Sequence, residues 1–94
     1  MQDDRFEWDD TKARSNLKKH KVSFEVARRI FANPNSVEKL DLRDDYGEDR
    51  VNLTGMVGLH VFTITFVERN NRIRIISARQ ASTNEQDEYF ASGS

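Results

Sequence analysis

Cysteine is absent from the chain of 94 residues. That excludes disulfides and thiolate metal sites, and it suits a reducing cytosol. No apolar run approaches the length of a membrane span. The N-terminus also lacks the basic start and apolar stretch of an export signal, so a soluble, cytoplasmic protein without membrane attachment is expected. Histidine is scarce: the two present are scattered and form no zinc pattern. The acid-rich loop Asp41 to Asp49 lacks the D-x-D-x-D-G order of a calcium loop. There is no glycine-rich phosphate loop and no nucleophile elbow. No cofactor and no metal are therefore expected. Net charge is scarce too, with a formal value of -1 and a pI of about 6.1. A nucleic-acid binder usually carries a large basic excess, so any such role must rest on a local patch.

Such patches are present because the charges are segregated. Lys12, Arg14, Lys18, Lys19 and Lys21 occupy one stretch with no acid between them, and Arg69, Arg72, Arg74 and Arg79 another. The acids gather in Asp41 to Asp49 and toward both ends of the chain. Charged residues make up 33% of the chain and hydrophobic residues 36%, which fits one small soluble domain with a thin core.

The chain opens on a short strand, Arg5 to Trp8. Asp9 is a good N-cap, and with Asp10 it puts negative charge at the start of a helix running to about His20. The basic last turn, Lys18-Lys19-His20, suits the negative end of the helix dipole. The apolar stripe is poor, with Ala13 and Leu17 sharing their face with Asn16 and His20. Lys21 stands where a left-handed C-cap favours glycine. A second helix is expected from Val22-Ser23, capped by Ser23 and stapled by Val22 on Ala27. It buries Phe24, Ala27, Ile30 and Phe31 and stops at Asn33-Pro34. Four strands follow, at about Val37–Arg43, Arg50–Val57, Leu59–Glu68 and Arg72–Ala78. Asn70-Asn71 suits a tight hairpin turn, Gly58 allows another, and Asp44 to Asp49, with Gly47, is a polar loop. Ser82-x-x-Glu85 is a capping box that opens a closing helix through about Phe90. Residues 91–94 read as a frayed tail, so a single domain over residues 1–90 is expected, in the α+β class.

Strand parity divides the sheet residues into two sets. Leu40, Leu42, Val51, Leu53, His60, Phe62, Ile64, Phe66, Ile73 and Ile75 form an apolar side that must pack on helices. Lys39, Asp41, Arg43, Arg50, Asn52, Thr54, Thr63, Thr65, Arg72 and Arg74 form a polar field. That field is either a solvated sheet face or a phosphate-binding one, since guanidinium groups bind phosphate bidentately and clustered arginines repel one another without an anion. Arg79 has the parity of Ile73, Ile75 and Ser77, toward the helices, and stands at the strand's end. A charge placed there wants a carboxylate such as Glu85 or Glu88, or a ligand anion. His20 has a side chain suited to acid–base work, or is a structural helix-end histidine. His60 shares parity with Phe62 and Ile64, as a core or edge residue does. Glu48 is either a general base or a salt-bridge partner. Trp8 and Tyr89 are core aromatics or stacking platforms for bases.

Taken together, "FEWDDTKARSNLKKHKVSFEVARRIF", "GEDR", "ERNNRIRIISARQA" and "NEQDEY" resemble the BrnT toxins of bacterial type II toxin–antitoxin modules. The resemblance runs from Phe6 to Tyr89 and rests on W-D-x-x-K, N-x-x-K-H-x-V-S-F, G-E-x-R and I-R-I-I-S-A-R-x-A. The family usually has glycine where this chain has Lys21. The resemblance implies a RelE-like fold, here an antiparallel four-stranded sheet plus a short N-terminal strand, packed on two N-terminal helices and a C-terminal helix. It implies a metal-independent endoribonuclease that cuts RNA and arrests growth. Its expected partner is a BrnA-like ribbon–helix–helix antitoxin that blocks the toxin and carries it to operator DNA, in a toxin–antitoxin heterotetramer. Carried over by motif, the positions of interest are Lys19, His20, Glu48, Arg50, Arg69, Arg74, Ser77, Arg79 and Tyr89.

Cleavage of RNA without metal uses the 2′-hydroxyl as nucleophile, and it needs a base, an acid and cations around the phosphate. Arg50, Arg74 and Arg79 are expected to hold the phosphate, with Glu48 or His20 handling protons and Lys19 assisting. Arg69, Arg72, Ser77 and Tyr89 are expected to bind RNA. The competing expectation is a non-catalytic module whose arginine face captures an acidic partner, or RNA without cutting it, and which serves antitoxin capture and autorepression. A third is an enzyme fold kept as a structural subunit.

Overall fold

The computed structural model describes residues 1–41 and 48–92. The expectations for Leu42, Arg43 and Gly47, and for Gly93 and Ser94, lie outside the described residues. Strand β1 (Phe6–Glu7) leads to helix α1 (Asp10–His20) and helix α2 (Val26–Phe31). Strands β2 (Val37–Leu40), β3 (Val51–Val57), β4 (His60–Arg69) and β5 (Arg72–Gln80) follow, and helix α3 (Thr83–Ser92) closes the chain. The five strands form one mixed sheet in the order β1-β5-β4-β3-β2. β1 lies parallel to β5, and the other neighbours are antiparallel. No described helix is long and apolar enough to cross a membrane.

Local chemistry accounts for most boundaries. The Asp9 side chain accepts a hydrogen bond from the Lys12 amide at 3.1 Å and opens α1. Lys21 closes α1 in the left-handed region, at φ 62°, its N–H donating to the Leu17 carbonyl at 2.9 Å. Asn70 and Asn71 both have positive φ, 54° and 63°, as a two-residue type I′ turn requires between β4 and β5. Gly58, at φ 62°, begins the tight turn between β3 and β4. The capping box is reciprocal: Glu85 N–H donates to Ser82 Oγ at 3.2 Å, and Ser82 N–H to Glu85 Oε1 at 2.8 Å. α3 runs on through Ala91 and Ser92, two residues beyond the expected helix.

α2 begins later than its sequence suggests. Ser23 caps a turn, its Oγ accepting from the Glu25 N–H at 3.1 Å, and the amides of Val26, Ala27 and Arg28 bond three residues back. This tight 3₁₀-like entry carries Val22 and Phe24 into the core before the helix proper starts. Phe24, Ala27 and Ile30 are buried as expected, and Phe31 wedges edge-on between Phe6 and Phe66 at 5.4 and 4.9 Å. Gly55 lets this layer close on the sheet: a Cβ there would stand 2.5 Å from Ser36 Oγ and 2.9 Å from Ile30 Cγ2.

Two expectations about the sheet change. First, β5 carries a bulge. Phe66 pairs with Ile75 and Thr65 with Ser77, which leaves Ile76 unmatched. Parity therefore inverts within β5. Arg72 and Arg74 lie on one face before the bulge, and Ser77 and Arg79 on that same face after it, opposite Thr65 and Thr63. Arg79 is thus on the polar side, not the core side, and it stands inside the strand, which continues to Gln80. Second, the helices are not all on one side. α1 and α2 cover the face carrying Leu53, Ile64, Phe66, Ile75 and Ala78. α3 lies on the opposite face, where Tyr89 packs with Val61 and Ala81 against Val37 and Met56. The polar field is accordingly only half open, with Thr54, Thr63 and Thr65 buried in it. Leu40 and His60, assigned by parity to the packed side, are exposed, Leu40 at the end of the edge strand β2 and His60 at the turn that opens β4.

The poor apolar stripe of α1 has its reason here. Leu17 is 50% exposed and Asn16 only 8%. β1 pairs with β5 only as far as Arg74, so beyond it the outer edge of β5 has no strand partner among the described residues. Asn16 fills the place of one. Its Nδ2 donates to the carbonyls of Ala78, at 2.7 Å, and Val22, at 2.9 Å, and its Oδ1 accepts from the Ala78 amide at 3.2 Å. Asn16→Ala strands these buried groups, and the expected loss is about 3 kcal/mol, or on the order of 15 °C in Tm. Thermal unfolding followed by circular dichroism measures it. A loss under about 1 kcal/mol would mean that water serves this edge equally well.

Candidate nucleic-acid interface

The register sets the polar face out in rows. Arg69 pairs with Arg72, Val67 with Arg74, Thr65 with Ser77, and Thr63 with Arg79. β3 and β2 extend the lower rows with Asn52 and Lys39, then Thr54 and Val37. Arg50 stands just before β3, whose first residue, Val51, pairs with Phe66. The middle rows are tied by hydroxyls: Thr65 Oγ1 donates to Asn52 Oδ1 at 2.6 Å, and the hydroxyls of Thr54 and Thr63 meet at 2.7 Å. The sheet therefore supplies a rigid polar floor with arginines at both ends.

At one end, Arg69 Nη2 donates to both Glu48 oxygens at 2.8 Å. The Arg69 hydrogen bonds hold the Glu48 carboxyl below its ordinary range, and the charges of Arg69, Arg50 and Arg74 add to this against a smaller opposing effect of burial. Glu48, Arg50, Arg69 and Arg74 therefore share one electrostatic neighbourhood. Arg74 also pairs with Glu7 at 2.7 Å, and Arg72 Nε donates to the Asp3 carbonyl at 3.2 Å. At the other end, Arg79 grips Glu85 with both prongs, Nη1 to Oε1 at 2.7 Å and Nη2 to Oε2 at 3.0 Å. Beside this pair, Lys39 Nζ reaches Glu88 at 3.2 Å. A cavity of about 240 Å³ opens there between α3 and the sheet, lined by Lys39, Asn52, Thr54, Asn84, Glu85 and Glu88.

The remaining candidates fall elsewhere. Lys19 and His20 lie on α1, in a groove shared with Ser77. Tyr89 is buried, and its hydroxyl accepts from Asn33 Nδ2 at 3.0 Å, so its ring fixes α3 and is not open to a base. Trp8 is buried edge-on to Phe24 at 5.8 Å. The structure thus gathers Glu48, Arg50, Arg69 and Arg74, puts Arg79 on the same face, and sets Lys19 and His20 around the edge of β5. Sequence reasoning missed Glu7 as the partner of Arg74, and Thr63 beneath Arg79. Neither has a signature within its own segment, because both pairings depend on which strands become neighbours.

Chemically, this face presents guanidinium groups, that of Arg79 paired fork to fork, and guanidinium forks are donors that suit phosphate as well as carboxylate. The model of the ribonuclease toxin BrnT of type II toxin–antitoxin systems matches residues 8–85. No curated protein matches the chain.

Glu85 gives the site an acid signature. Burial raises its carboxyl, but hydrogen bonds from Arg79 and the Ser82 amide, the Arg79 charge and the Thr63 hydroxyl outweigh this and hold it at about 2. Its folded-state value lies below the ordinary 4.5, so its contribution to stability is present above that pH and lost as pH falls toward 2. Asp3 behaves likewise: the Phe6 and Arg5 amides, aided by Arg28, hold it at about 2. Melting temperature is expected to fall through this window. In Glu85→Gln, which keeps a capping oxygen, the fall is expected to be shallower. Equal slopes for parent and variant would contradict the assignment.

Proposed function

The chain belongs to the BrnT family of ribonuclease toxins of type II toxin–antitoxin systems, and from that premise we propose that it is a metal-independent endoribonuclease acting on RNA through the polar face of its sheet. The fold is read as RelE-like. The 2′-hydroxyl attacks the adjacent phosphorus, a base takes its proton, and an acid protonates the departing 5′-oxygen. The products are a 2′,3′-cyclic phosphate and a 5′-hydroxyl. Arg50, Arg74 and Arg79 hold the phosphate and the charge that develops on it. Glu48 or His20 handles protons, Lys19 assists, and Arg69, Arg72 and Ser77 contact the flanking RNA. Tyr89 contributes by seating α3.

The observation that carries this reading is the bulge at Ile76. Without it Arg79 would face the core. With it Arg79 joins Arg50 and Arg74 on one surface, over a floor of hydrogen-bonded hydroxyls. Glu85 occupies the Arg79 fork in the way a phosphate would, so substrate binding exchanges one anion for another. The Glu48 carboxyl, held low by Arg69, becomes a better base once Arg69 turns to phosphate.

A second reading is supported by the same pairs. Arg69, Arg74 and Arg79 each already hold a carboxylate, so an acidic protein segment would fit the face as well. In that reading the chain is a binding module, and its work is antitoxin capture and autorepression. Under either reading the partner is a ribbon–helix–helix antitoxin in a cytoplasmic heterotetramer that reaches operator DNA.

Purified protein incubated with single-stranded and structured RNA in EDTA separates the readings. Cyclic-phosphate ends are expected, with the rate down by roughly 10²–10³ in Arg79→Ala and in Arg50→Ala. Parental rates in both variants would sink the site assignment. Binding without any cleavage would favour the module.

A further inference from the structure

The arginines of the sheet are engaged at rest, whereas on α1 Arg14 reaches Thr11 Oγ1 at 3.3 Å and the charge of Lys12 acts on the Asp9 carboxylate without a close ion pair. Among the described residues, the side chains of Lys12, Lys19 and His20 make no hydrogen bond or ion pair. They line one groove of about 240 Å³, together with Ser15, Asn16, Ile76 and Ser77. Among the described residues, no carboxylate lines it. The helix face is continuous, since residues 12, 15, 16 and 19 recur at three- and four-residue spacing.

Lys12 stands at a position its own helix disfavours. Asp9 is the N-cap, which makes Lys12 the third helical residue, in the positive first turn. Glutamate there would complete a capping box and complement the dipole. A lysine at that position, lining a groove that has no carboxylate among its described residues, suits an anion in the groove. The groove also leads to the proposed cleavage face. Ser77 lies in both, since it lines the groove and pairs with Thr65 on the polar side. Arg79 follows two strand residues later, about 7 Å along β5.

We propose that this groove, floored by Asn16 and walled by Lys12, Ser15 and Lys19, is a second phosphate subsite, which takes an RNA phosphodiester flanking the one held on the sheet. The backbone then wraps the free edge of β5 instead of continuing along the sheet. The subsite rests on the RNA-cleaving reading above. It adds Lys12 and Ser15 to the residues that hold substrate. Because its cations need no carboxylate displaced, it serves as the first contact for RNA, ahead of the exchange at Arg79.

The test compares two substitutions of equal charge on neighbouring faces of α1. Lys12→Glu removes a groove cation and keeps the residue-12 amide that donates to the Asp9 cap. Lys18→Glu makes the same charge change, and Lys18 does not line the groove. The probe is a single-stranded 2′-O-methyl oligonucleotide, which lacks the attacking hydroxyl, with Kd read by fluorescence anisotropy across a salt series. Lys12→Glu is expected to weaken binding at least about fivefold at low salt and to reduce the slope of log K against log salt by about 0.7. Lys18→Glu is expected to change Kd by less than about twofold. On cleavable RNA, Lys12→Glu raises KM and leaves kcat near the parent. Equal effects of the two substitutions, or no binding of the oligonucleotide by the parent, overturn the subsite. Failure of the cleavage reading shows separately, as unchanged product formation in Arg79→Ala and Arg50→Ala.

Discussion

One side chain, Asn16, sets the relation between the helical layer and the sheet. A strand edge inside a protein leaves an amide and a carbonyl that water cannot reach, and each must find a partner. Here the short β1 covers only the first part of β5, and the Asn16 amide completes the pairing at Ala78 with one donor and one acceptor. The same group reaches the Val22 carbonyl, and so pins the turn between α1 and α2 as well. The orientation of α1 follows from this. Residues next to Asn16 on the helix surface are held against the bulge of β5, and residues on the far side, such as Leu17, are left in solvent.

The bulge is the second constraint. A strand with strict alternation would put Ala78 on the polar face and Arg79 in the core, which would bury a charge and waste a small apolar residue. The unmatched Ile76 reverses both. Ala78, fully buried, then packs against the helical layer, and Arg79 meets Glu85 of α3. The same fork ties α3 to the sheet. That helix otherwise rests on a small cluster around Tyr89 and on the pair of Lys39 with Glu88. Positive charge is thus held in two settings: in ion pairs with carboxylates on the sheet, at Arg69, Arg74 and Arg79, and on α1, where Lys12 and Lys19 form no close ion pair among the described residues. A chain of near-neutral net charge keeps a basic surface in this way, by segregation and not by excess.

Much of the fold was legible. α1 has its expected bounds because Asp9, Asp10 and the basic last turn are local signals that act within a few residues. The asparagine turn and the capping box of α3 are local in the same sense. The start of α2 was misplaced because Ser23 caps a turn as readily as a helix, and the tight entry is set by where Phe24 must reach the core. The membership of the site was partly legible, since arginines in a strand and a K-H pair at a helix end stand out as residue types. Their pairing was not. Glu7 meets Arg74 across residues far apart in sequence, and the assignment of Arg79 to the core side failed at a single unmatched residue.

The sequence by itself determined the segments, their caps and turns, the apolar set of the core and the clustering of charge. Each of these depends on neighbours along the chain, within reach of a turn of helix or a hairpin. Only the tertiary structure decided which face of the sheet Arg79 joins, which side α3 covers, and that a helix asparagine stands in for a missing strand. Those outcomes depend on register between strands and on the unsatisfied groups of an edge. Both exist only once distant segments have been brought side by side.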